Sequence, residues 1–491
     1  MELTQIASGC GAVEKYLVPE GFPQIPPRAR FIGRIKGTWY EMGFQLGEKC
    51  GDLCRWVSDA WWKESTEQFG VEDTREAMKR YEAQIKAFNP SLINFMHGIA
   101  EGSSPRLKES KYAAVSTNYE RVLCVNIYDE WSKKHPAPPY PWRTSTTITD
   151  PRASGLKDED YSCSSFAVVG GPLKEPVSPS QKWWSKPPSK NGETIVAHNR
   201  QTHHFPSCYE AVYIASPSDP DANSFWVLTN PPQVSGNMVV NDKGLAVILT
   251  NGATQAIKEG ETNDFGVPWF LQLIHIGAYA DKPDTAVEML TKGTPDYRAA
   301  TGRKTVLRGG SWNFLVADPD QAVCIETTAH RYGIRRPGDA GEAGNYIVMI
   351  AGQCWSNHTY DENNVLTDVP MTMFGYPGLP REGLRHPTLM WDIHNHYGLI
   401  DKELAMEFLK GHYVYDYAGI RHDPIPPEDW VPGCTCHPLG MGGHSQKLGY
   451  TQGTADGKVA ILRKPSVGSS SMYWILGNPC HWVGPWDSAE F

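Results

Sequence analysis

Apolar and polar positions alternate with one rhythm before residue 160 and with another after it. Phe31-Ile32-Gly33-Arg34-Ile35 alternates as a strand does, after a stretch (residues 1–30) whose Pro23, Pro26 and Pro27 read as an extended leader. Glycines 37, 43 and 47 then flank Met42 and Leu46, which stand one helical turn apart. This predicts a helix over Gly37–Gly47 whose small residues let a neighbour pack closely. A charge-rich helical pattern runs from Leu53 to about Phe88, with Trp56, Trp61 and Trp62 on or near one face, and Asn89-Pro90 stops it. Further helices are expected over Ser91–Gly102 and Val122–Trp131. Lys133–Asp160 is rich in Pro, Ser and Thr, ends in Asp158-Glu159-Asp160, and reads as an exposed linker.

Short apolar runs dominate beyond the linker. Strands are expected at Ser164–Gly170 and Glu193–His198, separated by a Pro/Ser/Lys loop that carries Trp183-Trp184. Others follow at Phe225–Thr229, Met238–Val240 with Leu245–Leu249, Trp312–Ala317 with Ala322–Thr327, Tyr346–Ala351, Val459–Leu462 and Ser471–Leu476. Helical patterns cover Pro268–Ala280, Pro283–Leu290, Pro387–Tyr397 and Lys402–Gly411. Strand pairs with helices grouped between them predict an α+β layered body, and no internal repeat interrupts it.

Composition narrows the class. With 491 residues, 40% apolar and 21% charged, the chain has ample material for a packed core, and its 46 Gly and 38 Pro make it loop-rich. A formal charge of −9 supplies no attraction for a phosphate backbone, so nucleic acid is not an expected partner. The opening residues carry neither a basic nor an apolar signal region, and no run reaches the roughly 18 apolar residues of a membrane span. A soluble, cytoplasmic protein without a membrane partner is the expectation. Eleven scattered cysteines fit reduced thiols better than a disulfide framework.

One of these cysteines stands apart. Cys163 follows the acidic linker and leads directly into the apolar run Phe166-Ala167-Val168-Val169. Burial as an ordinary core thiol is the plain alternative to a nucleophile there. The wider pattern bears on the choice. Gly37-Thr38-Trp39-Tyr40-Glu41-Met42-Gly43 with Gly47, Gly98-Ile99-Ala100-Glu101-Gly102 and Cys163-Ser164-Ser165 come first. Ala197-His198-Asn199, Asn241 to Ala246, Gly266-Val267-Pro268, Asn313 to Asp318, Asn357-His358, Cys434 to His437 and Gly477 to Cys480 follow. In this order the set resembles the acyl-CoA:isopenicillin N acyltransferase-like family of N-terminal nucleophile (Ntn) hydrolases, which also holds amidases such as N-β-alanyl-amine hydrolases.

The resemblance implies a four-layer αββα sandwich with a helical N-terminal segment. It also implies a precursor that cuts itself between Ser162 and Cys163, leaving residues 1–162 and 163–491 as two associated chains. Where the family carries Gly before the nucleophile, this chain has Ser162. The freed amine of Cys163 would serve as base, its ordinary pKa of about 7.7 to 8.0 being suited to neutral pH. The implied reaction is hydrolysis of a small linear amide through a thioester, with no cofactor and no metal. Asn251 is the oxyanion candidate, although Thr250 holds the family's offset and Asn251-Gly252 is also an ordinary turn pair. Gln201 stands where relatives carry an Asp, and Arg200 beside it suits an acidic substrate group. Ser311, Asn313 and His358 match positions that line the family's substrate region.

Other readings stay open. Acyl transfer from a CoA thioester to an amine uses the same scaffold. An unprocessed, ligand-binding relative would keep Cys163 internal, and a Cys-His hydrolase would pair internal Cys163 with a base such as His358. A homo-oligomer is also left open. His198, His203 and His204, like Cys434-Thr435-Cys436-His437, lack the paired couples of an ordinary zinc motif.

Overall fold

The computed structural model describes residues 29–104, 118–134, 162–171, 186–203, 210–252, 264–339, 344–352, 354–371, 384–425, 431, 434–436, 452–477, 479–481 and 485–490. The leader up to residue 28, the linker beyond Lys134, the Trp183-Trp184 loop, His204 and His437 lie outside them.

Strand β1 (Arg30–Gly37) is followed by helices α1 (Trp39–Lys49), α2 (Gly51–Phe69), α3 (Val71–Phe88), α4 (Pro90–Ser103) and α5 (Tyr119–Lys134). A capping box starts α1: Thr38 Oγ1 accepts from the Glu41 N–H at 3.2 Å, and Glu41 Oε2 accepts from the Thr38 N–H at 2.8 Å. The glycine spacing has a packing cause. A Cβ on Gly43 would lie 2.0 Å from the Phe95 carbonyl oxygen, and one on Gly98 would lie 2.1 Å from that of Tyr40, so α1 and α4 meet backbone to backbone. The one long helix expected over Leu53–Phe88 is two, because Gly70 adopts φ +85° between α2 and α3.

The strand-rich part contains β2 (Ser162–Val168), β3 (Thr194–His203), β4 (Ala211–Pro217), β5 (Phe225–Thr229), β6 (Met238–Asn241) and β7 (Ala246–Asn251). Helices α6 (Trp269–Tyr279), α7 (Pro283–Thr291) and α8 (Pro295–Thr301) come next. Then come β8 (Trp312–Ala317), β9 (Ala322–Thr327), β10 (Tyr332–Arg335), β11 (Tyr346–Ile350), β12 (Thr359–Tyr360) and β13 (Leu366–Thr367). Helices α9 (Arg385–Asn395) and α10 (Lys402–Leu409) precede the short pair β14 (Val414–Tyr415) and β15 (Arg421–His422). β16 (Gln452–Leu462), β17 (Ser471–Leu476) and β18 (Asp487–Glu490) close the chain.

Among the described residues these strands form two large sheets. The ten-stranded one runs β1-β4-β5-β6-β7-β8-β9-β10-β12-β13, and the six-stranded one runs β11-β2-β3-β16-β17-β18. β1 joins the larger sheet parallel to β4, so the N-terminal segment supplies an edge strand as well as helices. The fold is mixed α+β, with large sheets and packed helices.

Three apolar cores follow from strand alternation. Val227, Val247, Phe314 and Ile325 of the larger sheet pack with α1 to α8. Their sequence neighbours Trp226, Leu228, Ile248 and Leu315 face Ala167, Val196, Ile347 and Ala460 of the smaller sheet. Phe166, Ile195, Val348 and Val459, on the smaller sheet's other face, pack with Leu389 and Ile393 of α9 and Phe408 of α10. No described helix is long and apolar enough to cross a membrane.

Candidate active site

Cys163 is the second residue of β2, where the apolar core between the sheets gives way to polar side chains. Directly paired residues of neighbouring strands share a face, and each strand's successive residues alternate. Ala167 pairs with Val196, which pairs with Ala460, and all three belong to the inter-sheet core. Two steps back, Ser165 pairs with His198 and His198 with Lys458; two more, Cys163 pairs with Arg200 and Arg200 with Asp456. All six therefore face the gap. Cys163 itself is 3% exposed.

Backbone bonds fix the nucleophile candidate from two sides. The Ala351 N–H, just past β11, donates to the Cys163 carbonyl at 2.9 Å, and Arg385 of α9 donates to the same oxygen at 3.3 Å. The next N–H, that of Gly352, donates to the Asn251 carbonyl at 2.9 Å. Successive amides of one turn thus tether Cys163 and the end of β7, and β7 and β8 pack across the gap from β2.

The larger sheet contributes polar groups at the same end. Thr250 pairs with Asn313, on the face that Ile248 and Leu315 share toward the smaller sheet. Both are fully buried, and the Thr250 hydroxyl has no hydrogen-bond partner among the described residues. Asn251 pairs with Trp312. Ser311 is buried and accepts from the Gly252 N–H at 3.0 Å, while Asn313 Oδ1 accepts from the Cys354 thiol at 3.5 Å.

Arg200 turns inward and joins a charged network. Its Nη1 donates to Asn230 Oδ1 at 2.8 Å and to Glu210 Oε1 at 3.3 Å, and lies 3.9 Å from Asp456 Oδ2. Asp456 is also paired with Lys458. Burial opposes the Arg200 charge, but Asp456, Glu210, Asp129 and Cys163 together outweigh it and raise the guanidinium pKa. Burial, reinforced by the negative charge of Asp456, holds the Glu210 carboxyl well above its usual range. Burial also keeps His198 well below the ordinary histidine value, with Lys458 and Arg200 adding to the effect, so its imidazole is neutral. His198 Nδ1 stands 2.8 Å from the Ser165 hydroxyl.

The remaining sequence candidates fall elsewhere. His358 has a side chain that is 59% exposed and lies 3.5 Å from Asp368, just before β12 and next to the β13 edge of the larger sheet, outside this buried cluster. Gln201 pairs by main chain with Ser162, and the side chains of both lie outside the described residues, as does that of His203.

Several members of the cluster escaped the sequence reading. Asp456-Gly457-Lys458 has the look of a turn, yet it is part of β16, which begins at Gln452 and not at Val459. The signal was its period of two: Asp456, Lys458, Ala460 and Leu462 share one face. Behind the same sheet, ligand atoms of His412, Cys436 and Cys480 lie within 4.8 Å of one another. The expectation of no metal judged Cys434 to His437 as an isolated segment, whereas the fold adds His412 and Cys480.

No protein-family model matches the chain, and no curated protein matches it. Among solved structures, a mutant conjugated bile acid hydrolase from Clostridium perfringens is similar over 67% of this chain and 96% of that chain, at 8% identity and a TM-score of 0.30. A likeness that distant decides neither family nor chemistry.

Proposed function

We propose that the chain is a cysteine-dependent amidohydrolase of the Ntn type, cutting a small linear amide with Cys163 as nucleophile. The observation that carries this reading is the position of Cys163: it is the second residue of β2, at the polar end of the inter-sheet gap, beside Arg200 and across from the ends of β7 and β8. The three stacked cores support a four-layer αββα arrangement, with residues 1–162 and 163–491 as the two products of self-cleavage.

In the precursor, the Cys163 thiol attacks the Ser162 carbonyl carbon, and the peptide C–N bond breaks as the nitrogen gains a proton. Water then hydrolyses the resulting thioester, which leaves a Ser162 carboxylate and a free Cys163 amine. That amine takes the thiol proton, and the thiolate attacks the substrate carbonyl. The leaving amine departs with a proton from the Cys163 amine, and water releases the acid from the second thioester. A guanidinium beside a thiol favours the thiolate, which gives Arg200 a part in this step. The end of β7 supplies the oxyanion donors, from the Thr250 hydroxyl and Asn251. Ser311 and Asn313 line the substrate side.

A panel of acyl amides and acyl-CoA donors, assayed with the wild type and Cys163→Ala, tests the proposal. Release of a free amine by the wild type alone is the expected result. Equal turnover by Cys163→Ala overturns the assignment, and product formation only with CoA donors moves it to acyl transfer.

A further inference from the structure

On the side of the smaller sheet away from the gap, three stretches distant in sequence converge. His412 follows α10, Cys436 lies in the segment 434–436, and Cys480 sits in the single helical turn Pro479–His481. One ligand atom from each lies within 4.8 Å of both others. Tetrahedral zinc, with Zn–S near 2.3 Å and Zn–N near 2.0–2.1 Å, separates its donors by about 3.6 to 3.8 Å. Gathering the three donors onto one ion therefore shortens their separations by about 1 Å at most.

The backbone around the cluster is already held. The Cys436 N–H donates to the Gly411 carbonyl at 3.1 Å, and the Val431 N–H donates to that of His412 at 2.7 Å. Thr454 Oγ1, on β16, donates to the Cys436 carbonyl at 3.0 Å. Asn199 of β3 donates through one amide nitrogen to the Leu409 carbonyl at 2.9 Å and to the Thr435 carbonyl at 3.1 Å. Asn199 pairs with Ser164, next to Cys163, so the cluster is tied to the back of the nucleophile's strand.

We infer that His412, Cys436 and Cys480 bind a zinc ion that clamps the C-terminal turn and the end of α10 onto the smaller sheet. Two thiolates and an imidazole form a soft donor set of the kind that zinc takes. These three donors leave one tetrahedral position, for which buried Cys434 of the same segment is the nearest candidate in sequence. A Cys436–Cys480 disulfide would explain two of these side chains but would give the His412 imidazole no part. Such a zinc is structural, and its binding does not depend on whether Cys163 is a nucleophile.

The test uses full-length protein, purified under reducing conditions without a metal-affinity step and analysed for metal by mass spectrometry. One zinc per chain is expected, released by a mercurial reagent into a chromogenic chelator and strongly reduced in His412→Gln and Cys480→Ser. Because those variants are exposed to misfolding, a second measurement keeps the wild type: chelator-treated protein, its fold checked by circular dichroism, is alkylated with and without added zinc. Zinc is expected to protect Cys436 and Cys480 in particular, and cobalt in its place is expected to give a thiolate charge-transfer band. Metal-free protein whose cysteines alkylate equally with and without zinc overturns the inference, as does a Cys436–Cys480 disulfide trapped directly from cells.

Discussion

The two ends of the gap between the sheets are built from the same strands but treat burial in opposite ways. At one end Ala167, Val196, Trp226, Ile248 and Leu315 meet in an apolar core. At the other, two to four residues further along those strands or their neighbours, Cys163, Arg200, Asp456, Lys458, Glu210 and Thr250 come together, all buried or nearly so. Apolar contact stabilises the first end at about 25 cal/mol per Å². The second removes several ions from water, each at a cost of several kcal/mol, where apolar side chains of like volume would be as stable or more so. Stability alone would not assemble that end. The difference points to chemistry there and to packing at the other end.

Substitutions at the two ends should therefore separate activity from stability. The largest effect is expected for Cys163→Ala: turnover falls on the order of 10³-fold or more, while the melting temperature stays close to that of the wild type. Arg200→Met removes the cation beside Glu210 and leaves Asp456 only its Lys458 partner, and denaturant unfolding should show a loss of roughly 3–5 kcal/mol. Ile248→Ala, at the apolar end, should cost roughly 2–5 kcal/mol by the same measurement but leave turnover per folded molecule unchanged. A large loss of turnover in Ile248→Ala would erase the distinction between the ends. Thr250→Val removes one hydroxyl from the gap, and a fall in kcat of about 10²-fold is expected if that hydroxyl meets the oxyanion.

The smallest effect concerns pH. His275, in the helical layer, is held neutral by burial with its pKa lowered to about 4, and Asn89 donates to its Nδ1 at 3.0 Å. Between the ordinary histidine value and that lowered one, the unfolded chain binds a proton that the folded chain does not. Stability is therefore present above about pH 6.5 and is lost as pH falls toward 4. His275→Gln should flatten this slope and leave turnover intact. His198, depressed in the same direction, adds to the slope from inside the gap, so His198→Gln should alter turnover as well.

Much of the fold was legible because fully buried strands read as apolar runs. Phe225–Thr229, Trp312–Ala317, Ala322–Thr327 and Ser471–Leu476 have the limits their patterns predict. The first half of β16 was hidden because its gap-facing residues are charged, and Asp456-Gly457 mimics a turn. β4 and α8 passed unremarked: Ala211 to Ala215 is apolar on both faces and carries no period, and α8 is too short for one to show. Cys163 stood out by its place between an acidic linker and a strand. Arg200 and Thr250 could be named from sequence, but the network around them is tertiary. The same holds for His412, Cys436 and Cys480, which no spacing along the chain connects.

The most direct test of Cys163 as an Ntn nucleophile is the mass of the purified protein under denaturing, reducing conditions, measured for the wild type and for Cys163→Ala. Two wild-type fragments that meet between Ser162 and Cys163, and an uncut Cys163→Ala chain, are the expected result. A wild type found only as the full-length 54.7 kDa species, or a Cys163→Ala chain cut at the same bond, would contradict it.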